Sequence, residues 1–489
     1  MDIDAIENHH MVVAEQRVSR RQVLQTTGLG FGAIALDALL AAQQGIADPI
    51  RVDPRQPLRP RAGHFPGVQS VVWIVMNGGA SHLDTWDYKP ELQRRHGEML
   101  SEADPRTGFF ETSGKLLASP FSFKRYGESG TWASEILPFT SKHVDEMAFV
   151  HSCYTRSNNH SPALFEMNTG MSRMGFPCVG SWIAYGLGSE NDNLPSFVVM
   201  TDARGRGLPK NHAQNWGSGF LPGVFQGTRV KEKGVPVDDL FLAEGMTRTR
   251  QRKILDIANR VNRQHGERFP GQTELDARIE SLELAFRMQM SAPEVMSVDN
   301  EPGHIQKMYG MEHPTAQFFG KQCLIARKLV ESGVRFIQIY SGGTGNQQSW
   351  DGHLNIDKNH RQFGLETDQG IGALLSDLKQ RGLLQTTLVI CGGEFGRTSD
   401  SQGTGTGRDH NPNAFTWWFA GGGVQGGVHF GKTDPFGYKA IENRRHIHDL
   451  HATILHLAGL DHEALTYRFN GRDFRLTDVE GVVIRELLS

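Results

Sequence analysis

Six short, continuous apolar runs limit what this chain can fold into: Val71 to Met76, Met147 to His151, Phe197 to Met200, Val334 to Tyr340, Thr387 to Cys391 and Phe415 to Ala420. Runs of this kind are strands buried on both faces, because a strand with one wet face would alternate apolar and polar residues. Between them lie amphipathic helical patterns, notably Leu275 to Met290, Ile356 to Leu378 and Leu450 to Leu457, the last closed by Gly459. The alternation predicts an α/β fold, a mostly parallel sheet flanked by helices on both faces. Ligands in such sheets sit beyond the carboxyl ends of the strands. The more polar segment 209–298, rich in Lys, Arg and Gln, is expected as an inserted, largely helical region.

The 489 residues carry 51 Lys plus Arg against 54 Asp plus Glu, a net charge of -3, so a basic footprint for nucleic acid is absent. No apolar run reaches about 18 residues, which argues against a stable membrane span. Cys153, Cys178, Cys323 and Cys391 are widely spaced without a CxxC, so the expectation is four buried thiols.

Residues 1–47 read as a twin-arginine signal region. Ser19-Arg20-Arg21-Gln22-Val23-Leu24-Gln25 is followed by a weakly apolar, Gly/Ala-rich stretch from Thr26 to Ala42. The expected partner is the twin-arginine export machinery, and the expected location periplasmic or extracellular. Residues 48–69, rich in Pro and Arg between Pro54 and Pro66, read as a linker into a domain spanning 70–489.

Polar clusters follow the apolar runs. The first run leads through Gly78-Gly79 to Ser81, His82, Asp84 and Asp87; the second to Asn158-Asn159-His160-Ser161-Pro162, with Pro at a helix start. The run ending at Tyr340 leads to Trp350-Asp351-Gly352-His353. The run ending at Cys391 leads to Glu394-Phe395-Gly396-Arg397, and a further loop carries Arg408-Asp409-His410. Taken singly, these are ordinary: an Asp after a strand is commonly a cap, and Glu394 with Arg397 reads equally as an ion pair. Jointly they place carboxylates and imidazoles at one rim, the ligand set of Zn, Mn or, with fewer His, Mg and Ca.

The motifs GGASHLDTWDYKP, NNHSPA, WDGH, GEFGRT and GRDHNP resemble an exported, uncharacterised sulfatase-like bacterial family of the alkaline phosphatase and sulfatase superfamily. The resemblance runs from about residue 70 to the C-terminus and implies an alkaline-phosphatase-like sheet with divalent metal. It assigns Asp84 to metal binding, with Asp351, His353 and His410 as ligands of the other metal position. Where the superfamily has Asp-His, this chain has Glu394-Phe395, which leaves Glu394 as the ligand candidate there. Sulfatases read C/S-x-P-x-R before a Thr-Gly. Here Pro162 and Thr169-Gly170 match, His160 stands at the nucleophile position, and Leu164 replaces the Arg. A formylglycine nucleophile therefore cannot form, and Cys178 offers no substitute.

Two chemical readings follow. His160 or Ser161 attacks a phosphorus or sulfur centre at the helix N-terminus, or His160 is a metal ligand and water on the metal attacks, with Ser161 capping the helix. Arg397 and Arg408, with Asn159 beside them, are candidates for holding anionic oxygens of the substrate. The expected function is metal-dependent hydrolysis of phosphate or sulfate esters, on an anionic small molecule or polysaccharide. The alternative is an exported, non-catalytic metal- or ligand-binding protein that keeps the fold.

Overall fold

The structure is a computed structural model that describes residues 50–489 except 101–106, 111–112, 232–240, 243 and 269–272. The twin-arginine region lies outside the described residues. Pro49–Ser489 forms one compact unit.

Its centre is a nine-stranded sheet. The strands used below are β1 (Ser70–Met76), β2 (Ser113–Leu116), β3 (Met147–Tyr154), β4 (Phe197–Met200), β5 (Thr228–Val230), β6 (Phe336–Ser341), β7 (Thr387–Gly392), β8 (Gly396–Gln402), β9 (Arg408–Asn411), β10 (Phe415–Gly421), β11 (His429–Phe430) and β12 (Arg445–His446). The sheet order is β11-β3-β10-β7-β1-β6-β4-β5, with β12 also on β3. All pairings are parallel except those of β10, which runs antiparallel to both β3 and β7. The sheet is thus mixed but mostly parallel. β8, β9 and β2 form a separate three-stranded sheet.

The helices are α1 (His160–Thr169), α2 (Val179–Leu187), α3 (Arg248–Arg268), α4 (Thr273–Met296), α5 (Gln317–Glu331), α6 (Ile356–Gln380) and α7 (Ile447–Leu457). The period of two along β1 divides the core. Val72, Ile74 and Met76 pack with side chains of α4, α5 and α6, while Val71, Trp73 and Val75 pack with α1, α2 and α7. Every β1 residue is buried, as a run without polar alternation requires.

Residues 50–69 lie against the body. The Arg61 guanidinium donates to the carbonyls of Ala184, Tyr185 and Gly186 at the end of α2, and Val68 enters the core. Segment 209–298 supplies the edge strand β5 and the two long helices α3 and α4. All four cysteines are buried and free. Among the described residues, no helix is long and apolar enough to cross a membrane.

Because β1, β6 and β7 are parallel neighbours, Met76 aligned with Ser341 and Val75 with Gly392, the chain leaves all three at one edge. β10 reverses direction, so β3 again runs the same way as β7. The four loops that carry the polar clusters therefore start from the same rim.

Candidate metal centre

The turn after β1 explains its glycines. Gly78 has φ +101° and Gly79 φ +70°; a Cβ on Gly78 would stand 2.5 Å from Ser349 Oγ, and one on Gly79 2.6 Å from the Phe395 ring. The loops after β6 and β7 therefore close directly onto this turn. Trp350 N donates to Asn77 O at 2.9 Å, and the Asn77 amide donates to Gly342 O and Gly343 O. Trp350 is fully buried with its indole N–H on Ser341 Oγ, so the segment that presents Asp351 and His353 is fixed at both backbone and side chain.

After β7, buried Glu394 accepts the Gly78 N–H. The chain then enters β8, where Arg397 lies opposite His410 of β9. After β3, Asn159 caps α1 by accepting the Ser161 N–H at 3.2 Å, which makes His160 the first helical residue. The N-cap is therefore Asn159 rather than Ser161, because the cap must precede the first helical turn.

His160, Asp351, His353 and His410 each place one donor atom so that all four lie within 4.8 Å of one another. His353 Nε2 is 2.8 Å from Asp351 Oδ1 and 2.9 Å from His410 Nε2. His410 Nε2 is 3.2 Å from Asp351 Oδ1, and His160 Nε2 is 3.4 Å from Asp351 Oδ2. The opposite nitrogen of each ring is occupied. His160 Nδ1 meets Glu394 Oε1 at 2.7 Å, His353 Nδ1 meets Gln402 Oε1 at 2.6 Å, and His410 Nδ1 meets Asn158 O at 2.6 Å. All three partners are oxygen acceptors, so each Nδ1 carries the proton. In a neutral ring Nε2 then presents a lone pair.

That arrangement fits a cation. Two Nε2 atoms 2.9 Å apart, beside a carboxylate oxygen, need positive charge among them, a proton or a metal cation. His160 Nε2 is buried without a hydrogen-bond partner. Donors about 2.0 to 2.2 Å from a tetrahedral ion stand roughly 3.3 to 3.6 Å apart; the 3.4 Å between His160 Nε2 and Asp351 Oδ2 lies in that range, and the 2.8, 2.9 and 3.2 Å separations fall short of it. An oxygen acceptor on the far nitrogen is the usual means of aiming a metal-ligating histidine.

The electrostatics agree. Burial would raise the Asp351 carboxyl, but the Arg397 guanidinium at 2.7 Å and the three imidazoles hold it well below the usual carboxylate range. His410 is held neutral by burial, by the charge of His160 and by Arg397. Burial opposes a charge on His160, but Asp351 and Glu394 outweigh it and raise that ring to about 9. A proton on His160 and a cation in the cluster thus compete for the same lone pair.

The remaining sequence candidates fall elsewhere. Asp84 is fully buried and paired with Arg408, whose Nε is 2.7 Å from its Oδ2, and Ser81 donates to the same oxygen. Arg408 also donates to the carbonyls of Leu117, Thr398 and Ser399. Arg397 donates to Gly78 O, Gly79 O and Arg408 O besides Asp351. Both guanidiniums, read from sequence as anion grips, are fully buried and spent on these partners. Glu394 stands behind His160 rather than within the four-atom cluster. Ser161, partly buried, is also outside it, its carbonyl taken by Asn211.

Sequence reasoning missed Gln402, an unremarkable polar residue at the end of β8, and the Asn158 carbonyl, which no side-chain motif can reveal. It also missed Phe109 and Phe110, whose rings lie 5.5 Å from His410 and 5.1 Å from His353 at the rim. A second group, His446, His448 and Glu480, satisfies itself. His446 caps α7 and meets Glu166, His448 meets Gly170 O and Glu480, and Arg156 pairs with Glu480.

No curated protein matches the sequence. Solved structures similar to it include the PsFucS1 sulfatase from Pseudoalteromonas sp., at 12% identity over 90% of this chain and 76% of that one, TM-score 0.36. The phosphonate monoester hydrolase SpPMH from Silicibacter pomeroyi is 11% identical over 66% and 68%, TM-score 0.34. Alkaline phosphatase from the Antarctic bacterium TAB5 is 10% identical over 75% and 94%, TM-score 0.31. Residues 68–488 match the family described as "Protein of unknown function (DUF1501)", and the chain belongs to that family.

Proposed function

We propose that the protein is an exported hydrolase of phosphate or sulfate esters that uses one divalent cation held by His160, Asp351, His353 and His410. The observation that carries the reading is the set of three imidazoles, each with Nδ1 bonded to oxygen and Nε2 turned to Asp351. Three nitrogens and one oxygen suit Zn or Mn better than Ca or Mg. Such a cation, when bound, polarises an ester's phosphoryl or sulfuryl oxygen and makes water a nucleophile near neutral pH. Glu394 holds the His160 proton at Nδ1, Asn158 and Gln402 do the same for His410 and His353, and Arg397 balances the Asp351 charge. The amino end of α1, which begins at His160, favours an anionic group beside the cluster.

A non-catalytic binding role is the second reading, favoured by the burial of Arg397 and Arg408, which leaves neither free for a substrate. Metal analysis with a panel of aryl phosphate, phosphodiester and aryl sulfate esters separates the two: turnover that follows metal content supports the hydrolase, and full metal loading without turnover supports the binder. His160→Ala should lose metal and activity together, while Ser161→Ala should be mild; retained metal in His160→Ala would remove His160 from the ligand set. Export rests on Arg20 and Arg21. Replacing both with Lys should leave the protein in the cytoplasm, and normal export of that variant would refute the route.

A further inference from the structure

Helix α3 is an outer element whose only buried residue is Asn259. It is tied to α4 by Arg252, which pairs with Glu283 at 2.7 Å, and by the Asn259 amide on the same carboxylate. Away from that contact, Ile254, Ile257 and Val261 are 50%, 61% and 57% exposed. At 100° per residue the three fall within about 60° of one another and make a continuous apolar stripe. A stripe facing only water gains nothing for the fold.

The rest of the helix is cationic, with seven Lys or Arg against two acids over Arg248–Arg268. Arg252 is committed to Asp256 and Glu283. Arg250, Lys253, Arg260 and Arg263 are exposed and make no ion pair with any described residue. Lys253 and Arg260 flank the stripe along one side, and Arg250 extends it toward the helix amino end.

We infer that α3 docks the protein on a lipid bilayer surface that carries anionic headgroups, with the stripe entering the headgroup boundary and the flanking cations meeting the phosphates. A second copy is disfavoured because two stripes meeting face to face would bring the cations together. Nucleic acid would leave the apolar stripe in water. An exposed apolar stripe bordered by exposed cations on an outer helix suits a planar anionic partner. This inference is independent of the ester chemistry proposed above.

The test is co-sedimentation of the full-length protein with zwitterionic vesicles, with and without anionic phospholipid, at low and high salt. The wild-type protein should pellet with the anionic vesicles only, and binding should weaken at least about tenfold at high salt. Two variants, Ile254→Gln/Ile257→Gln/Val261→Gln and Lys253→Glu/Arg260→Glu, should each lose about tenfold or more at unchanged helical circular dichroism. No vesicle binding at low salt, equal binding to both vesicle types, or variants that bind like wild type would each overturn the inference. So would a dimer in sedimentation velocity that the triple Gln variant abolishes, since the occupant would then be a second copy.

Discussion

Asp84 is where the sequence pattern and the fold assign different work to one carboxylate, so Asp84→Asn discriminates sharply. Burial alone would raise this carboxyl, but Arg408 outweighs burial and keeps it low. Both groups are fully buried, so the Asn variant leaves a guanidinium charge in the interior without its counter-ion. Breaking one side of a buried pair costs about 3 to 5 kcal/mol. Arg408 retains the carbonyls of Leu117, Thr398 and Ser399, which sets the expectation at the lower end, near 3 kcal/mol. An unfolding entropy of about 2.1 cal/mol/K per residue over the roughly 440 residues of the folded unit turns this into a fall of about 3 °C in Tm. Asp84→Leu combined with Arg408→Met should recover most of the loss, since removing both charges leaves none unpaired. Calorimetry and elemental analysis on the same samples give the answer. Asp84→Asn should be destabilised yet bind metal like wild type; loss of metal at unchanged Tm would make Asp84 a ligand and refute its role as the partner of Arg408.

Glu394→Ala or Gln402→Ala, which removes the acceptor behind a ligand ring, should weaken metal binding about 10- to 100-fold in competition with a chelator, without loss of the fold; wild-type affinity in both would mean these oxygens aim nothing. Burial, the largest cause, lowers His151 to about 4, with its stacked neighbour His429 adding to the shift. The native state therefore binds fewer protons than the unfolded state between pH 6.5 and about 4, and stability falls as pH drops through that window, by up to about 3 kcal/mol. Urea midpoints across that range should be flatter for His151→Gln, and identical slopes would show that His151 carries none of the effect. Asn159→Ala should cost about 1 kcal/mol through its lost cap and leave metal content alone; a loss of metal there would mean that the cap positions His160.

The sheet was legible because buried strands cannot alternate polar and apolar residues, and the paired glycines at 78 and 79 marked where a backbone must turn beneath other loops. Asp351, His353 and His410 were legible for a related reason, since each follows a run or turn that ends at the same rim. What the sequence could not carry was long-range pairing. Nothing near Asp84 shows that Arg408, 324 residues further on, reaches it, or that Arg397 reaches Asp351. The family resemblance implies that the Asp after the first strand is a ligand, whereas here its Oδ2 lies 2.7 Å from the Arg408 Nε. Gln402 and the Asn158 carbonyl were invisible because their role depends on which ring nitrogen they face. The antiparallel course of β10 was likewise hidden, since an apolar run has no direction.

In the proposed site one cation is held by the Nε2 atoms of His160, His353 and His410 together with Asp351. Anomalous diffraction at the absorption edge of Zn or Mn, on crystals saturated with either ion, tests it directly. One peak within about 2.0 to 2.2 Å of those four donors is the predicted result. A saturated crystal with no peak among them, or a peak on Asp84 with the Arg408 pair broken, would contradict it.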